Sequence, residues 1–88
     1  AGKRGTRMSE RLLLEGRLRE KEREAETLRL KIAGLRDSVR MALDRFVPVE
    51  KINADVAAAQ CVELAALRHE LIGTLSMIEA LRADLGEK

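Results

Sequence analysis

Aromatic residues are almost missing from this chain of 88 residues: Phe46 is the only one, with no Trp and no Tyr. A compact mixed core normally draws on several aromatic rings, and base-stacking nucleic-acid platforms depend on them. Neither is expected here. A single cysteine, Cys61, excludes an intrachain disulfide. A single histidine, His69, leaves no zinc-ligand set. There is one proline, Pro48, and the few glycines form no phosphate-cradling loop. No stretch approaches the roughly 20 apolar residues of a membrane span. No apolar segment follows the basic first residues, so no secretory signal is expected. With these absences the default reading is a soluble cytoplasmic protein.

What remains is Leu, Ala, Ile and Val set among 36% charged residues. That is the composition of long helices and coiled coils. The net charge of +2 owes much to Lys3, Arg4 and Arg7. Met8-Ser9-Glu10 reads as a natural start, so residues 1–8 are taken as a flexible basic arm or an expression remnant.

The first half carries an apolar series at alternating four- and three-residue steps: Leu14, Leu18, Lys21, Ala25, Leu28, Ile32, Leu35, Val39, Ala42, Phe46. Only Lys21 is polar in it. This is a heptad seam. Ser9 offers an N-cap oxygen, so helix one is expected over about 9–45. The second half has its own seam: Ala57, Gln60, Leu64, Leu67, Leu71, Thr74, Ile78, Leu81, Leu85. Helix two is expected over about 53–85, closed by Gly86. The hinge between them, 46–52, holds Phe46 and Pro48 and runs into Asn53 at the start of helix two. Asn53 is a good N-cap, and Asp55 suits the positive end of the helix dipole. Pro48 either stops helix one or opens helix two as its first residue.

Folding the chain at the hinge brings Leu35 to Leu64, Ile32 to Leu67, Leu28 to Leu71, Leu18 to Leu81 and Leu14 to Leu85. The two seams stay in step from hinge to tip. Charge agrees, since residues 8–46 carry net +2 and residues 50–88 net −3. The expected fold is therefore all-α, an antiparallel two-helix coiled-coil hairpin over 9–86. A rod merely kinked at Pro48, or hairpins exchanging helices, would satisfy the same pattern.

Apolar residues outside the seam point to association. Helix two is apolar over a broad face at Leu71, Ile72, Leu75, Met77, Ile78 and Leu81, opposite the charge-dense stretch Arg19–Glu24. Met8, Leu12, Leu13, Leu30, Met41 and Leu43 also lie off the seam. Such stripes mark interfaces. A two-fold dimer of hairpins forming a four-helix bundle is expected, ahead of a helix from a different protein in the same groove.

Candidate chemistry is sparse. Cys61, beside the seam, reads as a small buried thiol. His69-Glu70 resembles half of a zinc-protease helix, but position 73 is Gly where the second ligand would stand. Glu20, Glu22, Glu24 and Glu26 spread around the helix among Arg and Lys as a solvated face. No pair of groups is arranged for catalysis, and no cofactor or small-molecule substrate is expected. Arg29, Arg36 and Arg40 fall near one face of helix one and, with the basic arm, could contact phosphates without reading bases. The reading is thus a non-enzymatic helical interaction module, with a small nucleic-acid-binding accessory protein as the alternative.

The opening Met8-Ser9-Glu10-Arg11-Leu12-Leu13-Leu14-Glu15-Gly16-Arg17-Leu18, the middle Leu35-Arg36-Asp37-Ser38-Val39 and the hinge Leu43-Asp44-Arg45-Phe46-Val47-Pro48-Val49-Glu50 resemble a group of short uncharacterised proteins of Mu-type transposable bacteriophages and prophages. The resemblance spans most of residues 8–86. It implies a bacterial cytoplasm and an accessory role in phage biology, and brings no assigned activity or binding residues.

Overall fold

The computed structural model describes residues 2–86, with side chains from Met8 onward. Two helices account for nearly all of it. Helix α1 runs Gly2–Ala42, a single 3-10 turn spans Val49–Lys51, and helix α2 runs Ala54–Asp84. They lie antiparallel as an all-α hairpin measuring 73 × 17 × 15 Å.

Helix α1 starts seven residues before the expected Ser9. Ser9 lies inside the helix, and the arm expected over 1–8 is helical from Gly2. A Ser can cap a helix only where the preceding backbone turns away, and here the backbone continues in helical geometry. The other end of α1 comes three residues earlier than expected, and Asp44 supplies the reason. Its Oδ1 accepts the Phe46 amide at 3.0 Å. Its carbonyl accepts the Val47 amide at 3.0 Å. A short carboxylate that captures the amide two residues on, while its own carbonyl takes the amide three residues on, gives the backbone an alternative to the helix.

Pro48 then holds φ −55° and ψ 140°, extended geometry that suits its ring. Its carbonyl accepts from the Lys51 amide at 2.8 Å, closing the 3-10 turn. Pro48 therefore precedes that turn and is the first residue of neither long helix. Asn53 stands at the N-cap of α2 without a side-chain capping bond, and Asp55 occupies the first turn. At the far end Gly86 adopts φ 76° and its amide bonds to the Ala83 carbonyl at 3.1 Å. Left-handed geometry of this kind favours glycine.

The helices meet along one narrow line. Between Ala54 and Leu85 the residues that are not exposed are Ala57, Gln60, Leu64, Leu67, Leu71, Thr74, Ile78, Leu81 and Leu85. In α1, Leu14, Leu18, Lys21, Ala25, Leu28, Ile32, Leu35, Val39 and Ala42 are buried or half-buried, joined by Glu15, Ala33 and Ser38. Phe46, the last member of the first series, is 79% exposed because α1 has already ended. Arg45 covers its ring, with the guanidinium carbon 4.8 Å from the centroid.

Leu18, Ala25, Ile78 and Leu85 form the buried cluster, with Leu14, Leu71 and Leu81 packed against it. Contacts across the helices fix the register. Gln60 Nε2 donates to Ser38 Oγ at 2.9 Å. Arg82 Nη2 meets Glu22 Oε2 at 2.9 Å, and Arg11 Nη1 reaches the Leu85 carbonyl at 3.4 Å. Gln60 and Ser38 form a polar pin inside an apolar seam, a device that favours one register over its slips. A Cβ added at Gly16, Gly34 or Gly73 would meet nothing within 4 Å, so packing within the hairpin does not need these glycines.

Seam and surface should differ sharply in stability. Ile78→Ala is expected to cost about 2–4 kcal/mol through the cavity it leaves. Leu30→Ala, at a position 68% exposed, should cost under about 0.5 kcal/mol. Urea unfolding of both variants at one concentration, followed by helical circular dichroism, checks this. Equal costs would contradict the seam assignment.

Candidate interaction surface

The residues expected to form an apolar oligomer face on helix two divide into two groups. Ile78 is 5% exposed and belongs to the hairpin core. Leu71 and Leu81 pack against the same cluster. These three lie in the seam, as the heptad pattern expects, and are already used by α1, so they are withdrawn from the expected oligomer face. The expectation counted these seam residues a second time as part of a broad outer face, and a side chain packed against α1 has no surface left to offer a further partner. Ile72, Leu75 and Met77 remain accessible, at 47%, 36% and 50% exposure.

Those three do not share a side. Residues two apart on a helix point in nearly opposite directions. Leu75 follows the column that holds Arg82, on the flank where Arg82 bonds Glu22. Met77 lies on the other flank, in a small hollow lined by Arg17, Glu20, Lys21, Ala80, Leu81 and Asp84. The usable apolar patch on the first flank is therefore Ile72 with Leu75.

The rest of α2 is thinly charged. Of its 31 residues, seven are Asp, Glu or Arg, and none of these falls between Leu71 and Ile78. A helix with apolar and small residues around most of its circumference is normally covered on more than one side. One partner helix covers only the seam. Further exposed apolar side chains cluster at the two ends of α1, at Met8, Leu12 and Leu13 and at Met41, Leu43 and Phe46.

The sequence-derived candidates for chemistry fall as follows. Cys61 is exposed, which corrects the reading of a buried thiol. It sits one position outside the seam residue Gln60, and α1 does not spread far enough to cover it. His69 is exposed and, among the described residues, no group of three or more His, Cys, Asp or Glu is gathered as a metal site. Arg29, Arg36 and Arg40 are all exposed on α1. Arg29 pairs with Glu26 at 3.6 Å, while Arg36 and Arg40 make no ion pair among the described residues. Lys3, Arg4 and Arg7 of the basic arm lie outside the residues whose side chains are described. No helix among the described residues is long and apolar enough to cross a membrane.

Comparison of the chain with protein families, with curated proteins and with solved structures gives no match.

Because Cys61 is exposed, its thiol should react completely with a maleimide or a disulfide reagent without denaturant. Mass spectrometry of the native protein would read this. Modification that requires unfolding would place the thiol in the seam after all.

Proposed function

We propose that this chain is a non-enzymatic helical interaction module that self-associates through the exposed flank of α2. The observation that carries the reading is the exposure of Ile72 and Leu75 within an uncharged stretch of a helix whose adjoining seam face is already packed. The seam itself is read as an antiparallel coiled coil, on the regular alternation of its buried positions. Joining two hairpins into a four-helix bundle would cover the apolar flank with the smallest number of new elements. The resemblance to short Mu-type phage proteins supports an accessory role in phage or prophage biology, in a bacterial cytoplasm.

A second reading, a nucleic-acid accessory role, is favoured by Arg36 and Arg40, which are exposed and unpaired among the described residues. It is the weaker of the two, since no aromatic residue accompanies them. It predicts duplex binding that falls steeply between low and physiological salt and is lost in Arg36→Ala/Arg40→Ala. Binding indifferent to salt would remove it.

For the principal reading, light scattering on a sizing column should give a mass of two chains or more. Refractive-index detection is needed, because the chain has no Trp or Tyr. Leu75→Asp should shift that mass to one chain while leaving helical circular dichroism largely unchanged. A wild-type mass of one chain at every concentration would overturn self-association.

A further inference from the structure

Two charge patterns on one flank of the hairpin share a single centre, and together they specify how a second copy would sit. On α1, the column at seven-residue steps reads Met8, Glu15, Glu22, Arg29, Arg36, Leu43. Its order is apolar, acidic, acidic, basic, basic, apolar. Seven residues are nearly two helical turns, so these positions follow one side of the helix. Reversing the column end to end sets every acid against a base and each apolar end against the other. The point of reversal lies between Ala25 and Glu26.

On the same flank of α2, Arg68, Ile72, Leu75 and Glu79 read basic, apolar, apolar, acidic. That column is also complementary to its own reverse. Its point of reversal lies between Gly73 and Thr74. The flank is shared because Arg82, one heptad beyond Leu75, bonds Glu22 of the α1 column at 2.9 Å.

The two points of reversal lie at the same height in the hairpin. The contacts of Ser38 with Gln60, of Arg11 with the Leu85 carbonyl and of Glu22 with Arg82 bracket a register in which the Ala25 level of α1 faces α2 close to Thr74. Ala25, at 1%, and Thr74, at 7%, are both buried there. Two columns on different helices, each self-complementary, thus turn about one level. A single two-fold axis satisfies both.

Resting on the self-association proposed above, we infer that the partner is a second copy of this chain, laid antiparallel along this flank. The two-fold axis crosses the long axis at the level of Ala25 and Thr74. Ile72 meets the partner's Leu75 and Leu75 meets the partner's Ile72. Arg68 meets the partner's Glu79 on either side of that apolar centre. Along α1, Glu22 faces the partner's Arg29, Glu15 faces the partner's Arg36, and Met8 packs on the partner's Leu43.

Neither Arg68 nor Glu79 makes an ion pair within the chain, among the described residues. Both are exposed. Glu15 and Glu22 currently meet Arg11 at 3.3 Å and Arg82 at 2.9 Å, and these surface contacts can be shared across the interface. Met8, 68% exposed, and Leu43, 52% exposed, lie off the hairpin seam, and this arrangement covers them.

The test exchanges charges. Arg68→Glu and Glu79→Arg should each raise the dimer dissociation constant by about tenfold or more, since each sets like charges face to face twice. The double variant Arg68→Glu/Glu79→Arg should restore the wild-type value, and an equimolar mixture of the two single variants should form a heterodimer. As a second readout, a spin label on Cys61 measures distance directly. Cys61 would lie level with the partner's Gly86, so the labels are separated along the rod by about 25 residues, about 38 Å at the helical rise. If wild type is a dimer but the exchange gives no rescue, or the labels lie within about 20 Å of each other, the antiparallel register is wrong while self-association stands. If wild type is monomeric at every concentration, the self-association reading fails first, and this arrangement with it.

Discussion

Everything in this molecule hangs on one line of contact. The burial of small and branched apolar side chains along a seam between two helices holds the hairpin together, with no disulfide and no aromatic core to assist it. The seam is thin. Among the described residues its most buried member is an alanine, Ala25, and no large side chain is fully enclosed. Each buried Leu or Ile contributes about 1.5–3 kcal/mol, against the entropy of ordering two long helices. The hairpin therefore has little reserve, and the flanks that α1 leaves uncovered on α2 are where more apolar area is available to add.

The two helices divide the work unequally. Helix α1 is heavily charged outside its seam, and ion pairs such as Lys21 with Glu24 at 3.0 Å lie along its own surface. Pairs of this type contribute little to stability. They keep a long helix hydrated and set which neighbours it tolerates. Helix α2 is poor in charge and rich in alanine, so its outer surface discriminates weakly by itself. Orientation in any assembly must then come from the few charges α2 does carry and from the ordered acidic-to-basic progression along α1. This is how electrostatics commonly acts at interfaces, fixing register and excluding wrong partners more than adding affinity.

Much of this was legible in the sequence because a heptad is a geometric statement. The alternation from Leu14 to Ala42 and from Ala57 to Leu85 names positions that share a side of a helix, and one proline-bearing hinge turns the chain back. The boundaries were less legible, because they depend on local competition for amides. Ser9 has the chemistry of a cap but no turn before it. Asp44 ends α1 by taking the Phe46 amide, a role that nothing in the periodicity announces. The surface was least legible. Ile78 falls in the heptad seam and Leu75 beside it, but how much of the broad apolar face α1 would leave uncovered depends on its placement, which the pattern does not give. Cys61 differs from the half-buried Gln60 by a single helical step, which was enough to reverse its expected burial.

The 3-10 turn after Pro48 has a consequence for where the chain ends are delivered. By sending α2 back along α1, it brings Leu85 beside Arg11 and leaves the opposite pole to the turn itself. Anything joined to either terminus would therefore emerge from the same pole. Anything so joined would sit at one pole of a stiff rod with the turn at the other, and two such rods paired head to tail would hold what they carried at opposite ends.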